Sequence, residues 1–114
     1  MKKIGISTFV LLAFLLSTSK VMAQIDTVTI VTSSLCATCK EKIEHDLSFE
    51  KGVKSSEVEI EAKTAKVIYD SRKTTPEKIR IAITKSGYDA DSLKADPKAF
   101  NRLPACCKDP DAHH

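Results

Sequence analysis

The apolar residues of this chain change period near its cysteine pair, and that change limits the fold more than any other feature. From Thr27 to Thr32, Val28 and Ile30 point one way and Thr27, Thr29 and Val31 the other, the alternation of a half-buried strand. Past the loop Ser33-Ser34-Leu35 the spacing becomes four: Cys39, Ile43 and Leu47 recur among Lys40, Glu41, Lys42, Glu44 and His45. That spacing predicts an amphipathic helix from Ala37 to about Phe49, ended by Gly52. Strand and helix meet at Cys36-Ala37-Thr38-Cys39, so the first helical turn carries two thiols.

The rest of the chain repeats this logic. Val58 and Ile60 alternate with Glu57, Glu59 and Glu61, and after a turn at Lys63-Thr64, Ala65, Val67 and Tyr69 face away from Lys66 and Asp70; together they read as a hairpin. Thr75-Pro76-Glu77 is a helix start, with a hydroxyl N-cap, proline at the first helical position and an acid in the first turn. Ile79, Ala82 and Ile83 form its buried stripe, Gly87 ends it, and Tyr88 to Leu93 reads as a final short strand. The order β-α-β-β-α-β predicts an α+β ferredoxin-like sandwich over residues 24–93, a four-stranded antiparallel sheet with two helices on one face. Beyond it, residues 94–114 form a tail in which Asp96-Pro97 starts a short helix. There Ala99, Phe100 and Leu103 are placed to lie on the domain, and Pro104 precedes Ala105-Cys106-Cys107.

Residues 1–23 are expected to be removed. Lys2 and Lys3, the apolar run Ile4 to Leu16 and the small-residue stretch ending at Ala23 are the parts of a secretory signal peptide. The run is shorter than the about 20 residues a membrane-spanning helix needs. Export is therefore expected, to the periplasm in a two-membrane organism. The chain carries 18 basic and 15 acidic residues, and Lys2, Lys3 and Lys20 leave with the signal, so the remainder is balanced. Without a basic surplus, and with two Tyr and no Trp for base stacking, nucleic acid is not an expected partner. No Ser/His/Asp grouping or phosphate-cradling glycine loop is present, and a binding protein rather than an enzyme is expected.

The chemistry rests on four cysteines. Thiols at a helix start face unpaired amides and the positive end of the helix, which favour the thiolate. Two thiolates at Cys36 and Cys39 select soft ions, copper(I), mercury(II), zinc, cadmium or silver, over calcium or magnesium. Two ligands are fewer than the four of a structural zinc site, which suits exchange rather than storage. Cys106 and Cys107 cannot readily bridge each other because they are adjacent. The tail is nonetheless long enough to cross back over a short domain, so either cysteine can add a ligand or form a disulfide with Cys36 and Cys39. The other reading is a free tail that binds metal separately with His113 and His114, or that has no role. His45 is expected to be solvated.

Taken with these elements, Cys36-Ala37-Thr38-Cys39, Gly52-Val53-Lys54-Ser55, Thr64-Ala65-Lys66-Val67 and the stretch Ile83 to Ala90 resemble the heavy-metal-associated domain family. The chain looks most like its exported mercury- and copper-binding members. The resemblance implies metal held by Cys36 and Cys39 and passed by ligand exchange to a metal transporter or a metal-pumping ATPase. A monomer is expected, with a metal-bridged dimer as the alternative. The family usually carries Gly-Met-Thr before the first cysteine; here Ser33-Ser34-Leu35 stands instead, and either Leu35 partly replaces the bracing Met or the loop is looser. Tyr88 falls where bacterial members place an aromatic near the metal, and it either shields the site or caps the core. A thiol–disulfide oxidoreductase using the same pair is the competing reading. It lacks the usual aromatic and proline around the cysteines and a candidate cis-proline further on.

Overall fold

A computed structural model describes residues 24–34 and 36–108. The expected signal peptide, Leu35 and the terminal His113 and His114 lie outside the described residues. Three strands form one antiparallel sheet: β1 (Ile25–Val31), β2 (Val53–Glu59) and β3 (Thr64–Asp70), in the order β1-β3-β2. The central strand pairs Val67 with Val28 and Ala65 with both Ile30 and Val58. These residues lie on the covered face, so the alternation read from the sequence is what fixes the register. Helices α1 (Ala37–Ser48) and α2 (Pro76–Lys85) cover it. Cys39, Ile43 and Leu47 from α1 join Ile79 and Ile83 from α2 in one core with Ile30, Val58, Ala65, Val67 and Tyr69.

Polar contacts lock the helices in place. Lys40 and Glu44, one turn apart on α1 and paired at 2.8 Å, hold the outer edge of β2: the Lys40 ammonium donates to the Val58 carbonyl and Glu44 accepts the Val58 N–H, each at 2.9 Å. Asp46 accepts from Lys42 at 3.0 Å and from the Ser86 hydroxyl at 2.7 Å, tying α1 to the C-terminal end of α2. Thr75 caps α2 by accepting the Lys78 N–H at 3.2 Å. Thr75→Ala is expected to cost about 1 kcal/mol, read from the midpoint of urea unfolding.

One expectation needs correcting. The sheet has three strands among the described residues, not four: the segment after Tyr88 makes only isolated bridges, Thr32 to Ala90 and Ala90 to Leu93. The cause is Asp91, which takes a positive φ of 52° and turns the chain back, with Ala90 and Leu93 exchanging both backbone hydrogen bonds at 2.9 Å. Asp91 fills the edge beside β1 by itself. Its N–H donates to the Val31 carbonyl at 2.8 Å and its carboxylate accepts the Val31 N–H at 2.9 Å. Asp70, read on the face opposite Ala65, Val67 and Tyr69, is almost fully buried. It sits at the end of β3, where its carboxylate caps the turn by accepting the Arg72 N–H at 2.9 Å and pairs with the Arg72 guanidinium at 3.3 Å. Those hydrogen bonds hold its carboxyl below the usual range.

The tail folds back as a short helix α3 (Pro97–Asn101), followed by a 3-10 turn at Ala105–Cys107. Asp96 caps α3 by accepting the Ala99 N–H at 3.1 Å, and its own N–H donates to the Thr84 carbonyl at the end of α2 at 3.0 Å. Ala99 and Leu103 are buried against the domain, whereas Phe100 stays 37% exposed.

Candidate metal centre

Cys36 is the N-cap of α1, in extended backbone conformation, and its carbonyl accepts the Lys40 N–H at 3.1 Å. Its sulfur is half-buried; that of Cys39, one turn inward, is buried in the core. The two sulfurs lie 3.4 Å apart. The loop below is braced by hydroxyls that the sequence reading passed over. The buried Ser34 hydroxyl accepts from Thr32 at 3.2 Å, and the Ser33 hydroxyl accepts the Asp89 N–H at 3.0 Å. These contacts join the cysteine loop to the segment after α2. The run Thr32-Ser33-Ser34 before a helix start was the available signal, since short hydroxyl side chains favour such local bonds.

The 3-10 turn brings Cys106 and Cys107 to the same place. The Cys36 sulfur lies 3.0 Å from that of Cys106 and 3.8 Å from that of Cys107, and the three sulfurs lie within 4.8 Å of one another. All four cysteines are free thiols, and Cys39 and Cys107 also adjoin each other through their buried sulfurs. Tyr88 sits beneath them. It is fully buried in the core next to Cys39 and Cys107, and its hydroxyl has no hydrogen-bond partner of normal geometry. Such an atom costs free energy where it stands. His45, by contrast, is exposed and packs edge-on against Phe49, centroids 5.0 Å apart.

The electrostatics favour the Cys36 anion. Burial pushes the Cys36 thiol up, but hydrogen bonding from Cys106 and from the Cys39 and Thr38 amides outweighs this and lowers it from 9.0 to about 6. With every thiol protonated, the Cys36 S–H points at Cys106. Once Cys36 ionises, the proton on that contact belongs to Cys106, whose own thiol is raised. Burial, followed by its contact with Cys39, pushes Cys107 well above the ordinary value. Iodoacetamide labelling of the reduced protein is therefore expected to find Cys36 first, with its rate rising through about pH 6. A rate for Cys36 that rises only near pH 9 would contradict this assignment.

A shallow three-stranded sheet under two helices, with a thiol pair on the opening turn of the first, defines a small thiol-bearing domain. The chain belongs to the heavy-metal-associated domain family, which matches residues 31–89. Among solved structures it is similar to a CopZ metallochaperone, with 29% identity over 57% of this chain and 98% of that one, at a TM-score of 0.55. It is also similar to oxidised MerP from Ralstonia metallidurans CH34, with 28% identity over 59% of this chain and 94% of that one, at a TM-score of 0.55. The N-terminal soluble domains of Bacillus subtilis CopA match with 30% identity over 60% of this chain and 48% of theirs, at a TM-score of 0.57. The family match includes Cys36, Cys39 and Tyr88 and stops short of Cys106 and Cys107.

Proposed function

We propose that this protein is an exported carrier that binds one soft metal ion, copper(I) or mercury(II), through Cys36 and Cys39 and delivers it to a metal transporter or a metal-pumping ATPase. The observation that carries this reading is the half-exposed Cys36 sulfur at the start of α1, 3.4 Å from a buried Cys39 sulfur. One sulfur meets solvent and is readily ionised; the other is fixed by the core. Membership of a family with copper- and mercury-bound relatives supports the same reading.

Transfer follows from the asymmetry of the pair. An incoming partner thiolate bonds to the ion on its exposed side, giving a three-coordinate arrangement. The Cys36–metal bond then breaks, and Cys36, whose low pKa makes it a good leaving group, keeps its electron pair. Cys39 lets go last because it is held in the helix. No electrons change hands, so the ion keeps its oxidation state. Zinc, cadmium and silver share the required softness, and removal of residues 1–23 with delivery to the periplasm is part of this proposal. Among the described residues no helix is long and apolar enough to cross a membrane.

The test is titration of the reduced protein with copper(I), mercury(II) and zinc against a competing chelator, read by native mass spectrometry. One tightly held copper(I) or mercury(II) ion per chain is expected. The absence of appreciable affinity for every ion would overturn the carrier reading. Insulin reduction with a dithiol reductant distinguishes the oxidoreductase, for which turnover is required; none is expected here.

A further inference from the structure

A two-coordinate soft ion holds its two sulfurs on opposite sides, about 4.6 Å apart for bonds of about 2.3 Å. The Cys36 sulfur has three sulfur neighbours at 3.4, 3.0 and 3.8 Å. A tetrahedral ion with four bonds of about 2.3 Å sets its sulfurs about 3.8 Å apart. Those spacings are nearer a closed tetrahedral site than a linear one; Cys36, Cys106 and Cys107 lie within 4.8 Å of one another, and Cys39 joins them through Cys36. The tail that supplies Cys106 and Cys107 is also docked by contacts of its own. The Asp96 N–H donates to Thr84, the Ala95 N–H donates to Asp89 at 2.9 Å, and Ala99 and Leu103 are buried beside Gly87. Cys107 itself is only 3% exposed. Finally, the Tyr88 hydroxyl is buried beside Cys39 and Cys107 without a partner of normal geometry, where the thiolate of either residue would accept from it.

We propose that Cys106 and Cys107 are the third and fourth ligands of an intramolecular tetrathiolate site with Cys36 and Cys39, suited to a tetrahedral divalent ion such as cadmium or zinc, with the tail acting as a lid. The proposal rests on the carrier reading and deepens it. The family match stops short of Cys106 and Cys107, and in this chain the tail closes the two-thiol loop. Metal leaves only after Cys106 and Cys107 have been exchanged for a partner's ligands or the tail has lifted. Binding displaces protons from the thiols that are not ionised, and no redox step is involved. Because the added pair is tethered to the same chain, it acts at high effective concentration, and the gain in affinity is expected to be about 100-fold or more.

The probe is cadmium alone, added to the reduced full chain, with the thiolate-to-cadmium charge-transfer band counting Cd–S bonds. One ion per chain is expected, with a band about twice that of the variant in which Cys106→Ser and Cys107→Ser are combined, and affinity lost in that variant by about 100-fold. Cys107 is buried, so the single variant Cys106→Ser, altered at a half-buried position, serves as the control for folding. It is expected to lose about a quarter of the band with an unchanged far-ultraviolet spectrum. Equal bands and equal affinities for wild type and the double variant would overturn the lid while leaving the carrier intact. Full cadmium affinity in a Cys36→Ser, Cys39→Ser variant would overturn it too, since the tail would then be a separate site. Failure of the wild type to bind any soft ion overturns both readings.

Discussion

Cys36→Ser is expected to lower affinity for a soft ion by about 10²–10⁴-fold, the range lost when a chelate is cut to its remaining arms, while leaving the fold almost untouched. The size of the effect comes from position. Cys36 lies within 3.8 Å of each of the other three sulfurs, and it is the thiol lowered to about 6. A serine oxygen is hard, protonated at neutral pH and a poor ligand for copper(I) or mercury(II). The half-buried position tolerates the change, so stability should stay within about 0.5 kcal/mol of the wild type. Cys39→Ser is the less clean experiment. Its sulfur is fully buried in the core, and a hydroxyl left there without a partner costs about 1–3 kcal/mol, so lost affinity and lost stability would be mixed. Chelator competition, with a thermal melt of the metal-free protein alongside, checks the claim. Wild-type affinity in Cys36→Ser would place the ion elsewhere.

Much of this architecture can be read from the residues, and the reasons differ by element. The strand-to-helix change at Cys36 follows from periodicity, and the starts of α2 and α3 follow from Thr75-Pro76 and Asp96-Pro97, whose side chains do cap their helices. Tyr88 to Leu93 read as a strand because its local pattern allows one. What decides against it is a contact between distant residues, in which Asp91 takes up both backbone groups of Val31 and ion-pairs with Arg80 at 2.7 Å. The burial of Asp70 is not legible in the same way, since alternation assigns a face but not the cap that a strand end can need. At the metal centre, the Cys36–Cys39 pair is local and legible. The reach of the tail follows from its length, but the 3.0 Å approach of Cys106 depends on where α3 docks. The partnerless hydroxyl of Tyr88 belongs to packing and has no sequence signature.

That docking point makes Gly87 the residue through which the fold controls the lid. Gly87 has a φ of 106°, a conformation that a residue with a side chain adopts only under strain. A methyl group there would also stand 3.0 Å from the Ala99 carbonyl oxygen and 3.1 Å from a Leu103 methyl. Both neighbours belong to the tail, and one of them is backbone, so relief comes most easily by moving α3 off the domain. Gly87→Ala is accordingly expected to destabilise the protein by about 1–3 kcal/mol and to displace Cys106 and Cys107 from Cys36. Unfolding by urea reads the first effect. Timed alkylation with mass spectrometry reads the second: Cys107, protected by burial in the wild type, should become labelled much faster, while the core-held Cys39 should not. A purely global loss of stability would expose both sulfurs together. Selective exposure of Cys107 is the result that separates a lifted tail from an opened core, and labelling of Cys39 and Cys107 at the same rate would exclude it.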